Sequence, residues 1–262
     1  MLKVRILGEI KTQLTPIQKH NANFLMNTPG IEASMNELDV YDQEDYYDLV
    51  KGIRVLSQFK ITKFITGESY GKVFKLNNDH VFKMFVDSVN PKEDMAWYKK
   101  CYDSLHSGEA KPTTLPVHDY GVWQEDVKRF IGLKIYWVEM AEVMPVEKWI
   151  VHTGRDRGEN ILRFNREFED IVNWYELRRT TNLMAFAKWL KPRKNDTSEA
   201  LFNKLLGRES KGVLTKKEII GLLTALEDLT SAGFKMKDIF PRNIGVLKQS
   251  RPDKPIFIIF DN

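Results

Sequence analysis

Cysteine is nearly missing from this chain. Cys101 is the one thiol in 262 residues, so no internal disulfide can staple the fold, and a reducing compartment suits it. Long apolar runs are missing as well. Nothing approaches the ~20 residues that a membrane-spanning helix needs. The opening MLKVRILGEIKTQ carries charges inside its short apolar stretch, unlike a secretory leader. The histidines His20, His80, His106, His118 and His152 fall at no metal-ligand spacing. There is no internal repeat and no low-complexity tract. These absences lead us to expect a cytoplasmic protein with no membrane partner.

What is present is ordinary in bulk. Apolar residues make up 42% and charged residues 29%, with a net charge of +4. That small excess permits an anionic ligand such as a nucleotide but does not demand nucleic acid, and no nucleic-acid partner is expected. Composition leaves the oligomeric state open. Cys101 sits among Trp97, Tyr98 and Tyr102, where a packing role is expected of it. Trp123, Trp137, Trp149, Trp174 and Trp189 are expected in the core.

Along the chain, residues 1–55 form an extension in which EDYYDLVKGIRVLSQF places Tyr47, Val50, Ile53 and Leu56 at helical spacing. KFITGESYGKVFKL and HVFKMFV read as strands, the tight NND between them suiting a hairpin. A helix should open at Asn90-Pro91, with Glu93 and Asp94 in its first turn. TTLPVHDYGVW and RFIGLKIYWVEM are further strand candidates. After Met144-Pro145 the pattern turns helical through ILRFNREFEDIVNWYELRRTTNLMAFAKWL, with KPRKNDTSE as a polar break. The clearest helix is 216–232, where Thr215 and Glu218 make a capping box and Gly233 supplies the stop. IGVL and PIFIIFD are two short closing strands. The expected architecture is α+β and bilobal: an extension over 1–55, a β-rich lobe over 56–141, a helical lobe over 142–262, and a cleft between the lobes.

Several motifs carry chemistry in that order. KMKDIFPRNIGVL sets Asp238 five positions before Asn243 in a loop between a helix and a strand. Phosphoryl transfer needs a carboxylate to orient the attacking hydroxyl and oxygen ligands for Mg²⁺, and Asp238 and Asn243 supply these types. Eighteen residues on, the apolar strand IFIIF ends in Asp261, a carboxylate that is costly there unless it binds something. In TGESYGKVFKL, Gly67, Ser69 and Gly71 lie where backbone N–H groups could cover phosphates, and Val73 where a side chain could cover adenine. Lys83 sits inside an apolar strand twelve residues beyond Gly71. Its expected partners are the nucleotide phosphates and a carboxylate on the next helix: Glu93, with Asp94 and Asp103 as alternatives. In KIYWVEMAEVMP, the backbone of Glu139, Met140 and Ala141 could bond an adenine edge while Val138 limits the pocket. The basic residues between 155 and 194 are interleaved with acids, and solvated helix faces are expected there.

In this order the motifs resemble the protein kinase superfamily over residues 60–262. LLTALEDLTSAGFKMKDIFPRNIGVL is similar to the kinase helix and catalytic loop, and FIIFDN to the strand bearing the Mg²⁺ aspartate. More loosely, VFKMFVDSVNPKEDMAWYKKCY resembles the compact early protein kinases of tailed bacteriophages, which would place the protein in the host cytoplasm. The resemblance implies a protein-kinase-like fold lacking the usual C-terminal subdomain, with ATP and Mg²⁺ as cofactors and protein hydroxyls of serine and threonine as acceptors. Asp238, Lys83 and Lys237 would be catalytic. Gly67, Ser69, Gly71, Val73, Lys83, Glu93, Glu139, Met140 and Ala141 would bind ATP, and Asn243 and Asp261 would bind metal. The sequence departs from the family in places. Thr66 and Glu68 stand at two of the three glycine positions. Met236 and Lys237 replace the His-Arg pair before the aspartate, and Phe240 replaces the lysine that contacts the γ-phosphate, with Lys237 or Arg242 as possible stand-ins. Asp261-Asn262 are all that remains of the Asp-Phe-Gly triplet. A small-molecule kinase of the aminoglycoside or choline type, or a non-catalytic pseudokinase module, would fit the same spacing.

Overall fold

Thr15 starts the described fold. Its hydroxyl accepts from Gln18 N while the Gln18 side chain accepts from Thr15 N, and Pro16 takes the first helical position. The computed structural model describes residues 13–29, 31, 43–68, 71–85, 92–124, 134–155, 159–193, 195–233, 239–248, 250 and 255–260. It leaves aside the side chains of 66–68, 92–94, 124, 134 and 159. The chain begins with α1 (Pro16–Met26), α2 (Gln43–Gly52) and α3 (Arg54–Gln58). Three strands follow, β1 (Ile61–Glu68), β2 (Gly71–Leu76) and β3 (His80–Phe85), then α4 (Lys92–Ser107). Next come β4 (Val117–Gln124), β5 (Lys134–Ala141), β6 (Val143–Pro145) and α5 (Val146–His152). The helices α6 (Glu159–Arg178), α7 (Leu183–Leu190), α8 (Asp196–Leu205) and α9 (Lys216–Ser231) lead to β7 (Ile244–Leu247) and β8 (Phe257–Ile259). The protein is therefore α+β, with an antiparallel five-stranded sheet of order β1-β2-β3-β5-β4 and a three-stranded sheet of order β6-β7-β8. Among the described residues, no helix is long and apolar enough to cross a membrane.

Two compact units share the chain: residues 1–90 with 121–139, and residues 91–120 with 140–262. In the first unit, alternation along the strands sends Phe74, Leu76, Phe82, Met84, Ile135 and Trp137 to one face of the sheet. There they form one core with Leu25 of α1, Leu49 and Val50 of α2, and Val55 and Leu56 of α3. The boundary drawn from sequence at 55/56 runs through this core, because the N-terminal helices supply the cover that a half-apolar sheet face requires. Asn21 ties them down. Fully buried, it donates to Leu56 O (2.7 Å) and Phe59 O (2.8 Å) and accepts from Ile61 N (2.8 Å), which satisfies the backbone where α3 passes into β1.

Local details depart from the sequence expectation. The run 46–58 is two helices, because Ile53 adopts an extended conformation (φ −97°, ψ 107°) that breaks the helical path. KFITGESYGKVFKL is two strands, paired Phe64 to Phe74 and Glu68 to Gly71 with irregular register between. The turn to β3 is as tight as expected, and Asp79 takes its positive φ of 64°. The polar break after α7 is shorter than expected, since the Asn195 side chain accepts from Ser198 N and caps α8 directly. α1 adds a helix to the extension beyond the run at 46–58, and Thr15-Pro16 with Gln18 is its start signal in the sequence.

In the second unit, α5 to α9 pack with β7 and β8 around Phe164, Phe168, Trp174, Phe186, Leu222, Leu226 and Phe257. Trp149 meets Phe257 edge-on at 5.6 Å. α9 begins at the expected capping box of Thr215 and Glu218, and Gly233 (φ 75°) follows its end. Three arginines of the basic stretch are structural. Arg155 reaches Glu218 at 2.9 Å, Arg163 donates to Lys211 O at 2.8 Å, and Arg193 bonds Asp170 at 3.2 Å while lying 3.4 Å over the Trp189 ring. Cys101 is buried, and desolvation pushes its thiol up to about 12, which fits a packing role.

The fully buried Glu167 of α6 accepts from Val213 N (2.8 Å) and Leu214 N (2.9 Å), clamping the turn before α9. Burial raises its carboxyl from 4.5 to about 7, against the pull of those two amides, Arg163 and Lys204. With the folded value above the unfolded one, the proton-linked stability is fully present below about pH 4.5 and is lost as pH rises through about 7. We expect the stability gap between wild type and Glu167→Gln to narrow from pH 5 to pH 8 in urea titrations. A gap independent of pH would contradict this assignment.

Candidate functional site

The two faces of the first unit's sheet differ in kind. One is the helix-covered core. The other carries Gly71, Val73, Val81, Lys83 and Phe85, because residues directly opposed in an antiparallel pair share a face and Val73 pairs with Lys83. Lys83 is half-buried, with Nζ 4.8 Å from the Phe85 ring centroid. Its stem leans along the strand toward Gly71. A Cβ placed on Gly71 would stand 3.0 Å from Lys83 Cε and 3.5 Å from Cγ and from Met84 O. A side chain at Gly71 would need the Lys83 stem to give by a few tenths of an ångström, so the glycine lets that stem pass close to this backbone. Val138, fully buried, alternates with the core-facing Trp137 and so faces the same way as Lys83.

Val81 belongs to this surface as well. Its position two residues before Lys83 on one strand is the signal that could have found it. Gly67 lies in β1 opposite Lys72. Ser69 lies outside the described residues.

Glu139 turns its side chain to the opposite face. It is buried, and its Oε1 lies 2.7 Å from His80 Nδ1 and 2.8 Å from Asn78 Nδ2. A carboxylate can only accept, so Nδ1 carries the proton and donates to it. The side chain thus fastens β5 to the β2–β3 turn, leaving only the backbone of this residue for any ligand. Met140 and Ala141 belong to the second unit, both buried. Ala141 N donates to Pro116 O at 2.9 Å, so this amide already has an acceptor within the protein.

Glu93 and Asp94 lie on α4, and their side chains fall outside the described residues. Asp103, the third candidate partner for Lys83, bonds Lys99 at 2.9 Å. That contact raises the lysine's pKa, through the hydrogen bond first and the charge second.

The second unit holds the other candidates. Lys237 and Asp238 lie outside the described residues, between Gly233 and the buried Ile239. The chain then makes a turn of 3₁₀ helix over Pro241–Asn243, in which proline fixes the first dihedral and Asn243 N donates to Phe240 O at 2.9 Å. Asn243 O accepts from Phe260 N at 3.0 Å, extending the β7–β8 pairing of Ile244 with Ile259. Asn243 is thereby placed opposite the residue that precedes Asp261, although 17 positions separate Asn243 from Phe260 in sequence. Asp261 itself lies outside the described residues. α4 reaches the same strand end, where Tyr98 Oη donates to Phe260 O over a long 3.5 Å.

Phosphate groups fit the residues of the first unit: a bare glycine backbone beside a lysine, on a face lined by valines. For Mg²⁺, the hairpin brings Asn243 opposite Phe260, next in sequence to Asp261; asparagine and aspartate are oxygen-bearing types suited to a hard cation. Among the described residues, no group of three His, Cys, Asp or Glu side chains could hold a metal. No protein-family model and no curated protein matches this sequence.

Proposed function

We propose that the protein is an ATP–Mg²⁺-dependent phosphotransferase acting on serine and threonine hydroxyls of cytoplasmic protein substrates. The observation that supports this best is the Lys83 stem passing close to Gly71 on a valine-lined sheet face. In this reading Gly71 and Lys83 hold the nucleotide phosphates, Val73, Val81 and Val138 contact the base, and Asp238 orients the acceptor hydroxyl. Asn243 and Asp261 are the side chains that would hold Mg²⁺. The ion neutralises charge on the transferring phosphoryl group when bound. The chain's own contribution is positioning and fixed charge, which dominate this class of reaction.

Incubation of the purified chain with γ-labelled ATP and Mg²⁺, alone and with cell lysate, tests the reading. Labelled protein that disappears in Asp238→Ala is expected. Label only in small molecules would point to a kinase of the aminoglycoside or choline type. A second protein reading, a pseudokinase, draws on one observation: Phe240, where the superfamily carries a γ-phosphate lysine, is 47% exposed and apolar. Nucleotide binding without transfer, unchanged in Asp238→Ala, would favour it.

A further inference from the structure

Phe240 is the one aromatic among the exposed large hydrophobic side chains described. It does not stand alone. The guanidinium of Arg242, itself exposed, lies 4.9 Å from the centroid of its ring. Both side chains spring from the 3₁₀ turn that Pro241 stiffens, and this turn is pinned on one side by the buried Ile239 and on the other by the Asn243–Phe260 hydrogen bond. The other arginines of this unit discussed above, Arg155, Arg163 and Arg193, are spent on a carboxylate or a carbonyl. Among the described residues, Arg242 has no carboxylate partner.

A guanidinium laid over an aromatic ring keeps its planar donors pointing outward and loses little freedom on binding. Its geometry matches a carboxylate or phosphate in a two-pronged contact. We propose that Phe240 and Arg242 form an acceptor subsite that recognises an oxyanion, a carboxylate or a phosphate group, flanking the hydroxyl to be phosphorylated. The proposal rests on the phosphotransferase reading for the word acceptor, since Arg242 immediately precedes Asn243 and follows Asp238 by four positions. The binding itself does not depend on transfer.

Fluorescence anisotropy of three labelled serine peptides tests it, with glutamate, phosphoserine or glutamine at the flanking positions. Wild type is expected to bind one or both acidic peptides about tenfold more tightly than the glutamine peptide. The difference between the two acidic peptides tells which oxyanion is preferred. Arg242→Ala should erase the discrimination, Arg242→Lys should restore only part of it, and Phe240→Ala should weaken it by freeing the guanidinium. Arg208→Ala, which removes another exposed cation, in the turn after α8, should leave it intact.

Equal affinity of wild type for all three peptides, no binding of any, or discrimination that survives Arg242→Ala would overturn the subsite. Loss in Arg208→Ala as large as in Arg242→Ala would do the same, reducing the effect to bulk charge. Labelled ATP added to the same mixtures separates the two ideas. Discrimination without transfer removes the phosphotransferase reading and keeps the subsite, whereas transfer indifferent to Arg242 removes the subsite alone.

Discussion

Under the proposed phosphotransferase function, Lys83→Ala is expected to lower phosphoryl transfer from ATP by on the order of 10²–10³-fold or more, the scale for removing a fixed charge from a reacting phosphoryl group. The fold should survive. Lys83 is half-buried on the face away from the helix-covered core, and it is not among the side chains of that core. Its removal leaves Phe74, Phe82 and Met84 packed as before, so the midpoint of urea unfolding should move by no more than about 1 kcal/mol equivalent. Asp261→Ala should remove transfer to a similar extent for a different reason, the loss of the proposed metal ligand. The two variants are then separable: raising Mg²⁺ should recover some activity in Asp261→Ala and none in Lys83→Ala. Transfer at wild-type rates in either variant would sink the corresponding site assignment.

The largest effect on stability is expected at Gly245. This residue is the buried second position of β7, between β6 and β8, paired with Pro145 on one side and Ile258 on the other. A Cβ there would fall 2.4 Å from Val143 Cγ1, 2.5 Å from Met144 O and 3.1 Å from Met144 C. A side-chain methyl can rotate away, but a carbonyl held in a strand cannot, so the strands themselves must part. Gly245→Ala should therefore cost about 3 kcal/mol or more, a fall in the melting temperature of roughly 6–12 °C. Gly108→Ala is the natural comparison. Gly108 also requires glycine, at φ 78°, but a Cβ there would meet nothing within 4 Å. It should cost only about 1 kcal/mol, from backbone strain. Equal losses in the two variants would mean that close approach at Gly245 is not what holds the small sheet together. Because Asn243 sits two residues before Gly245, the same variant should also weaken any function of the 3₁₀ turn.

Much of this protein was legible in its amino-acid order wherever a local rule suffices. The capping box at Thr215 and Glu218, the stop at Gly233, the hairpin at residues 77–79 and the closing strands all follow from the chemistry of neighbouring residues. The shared face of Gly71 and Val73 follows from period two within one strand, whereas Lys83 joins them only through the pairing of β3 with β2. Tertiary structure alone decided what depends on partners distant in sequence. It made the N-terminal helices part of the sheet's core, with Asn21 bonding residues 35 to 40 positions away. It committed Arg155, Arg163 and Arg193 to structural contacts that composition presents only as a basic stretch. It turned the Glu139 carboxylate toward His80, buried Glu167 beneath the start of α9, and set Phe240 and Arg242 together in the open. Periodicity reports which side of an element a residue occupies, but not what lies opposite. Burial and charge pairing are properties of that opposing surface, which only the folded chain supplies.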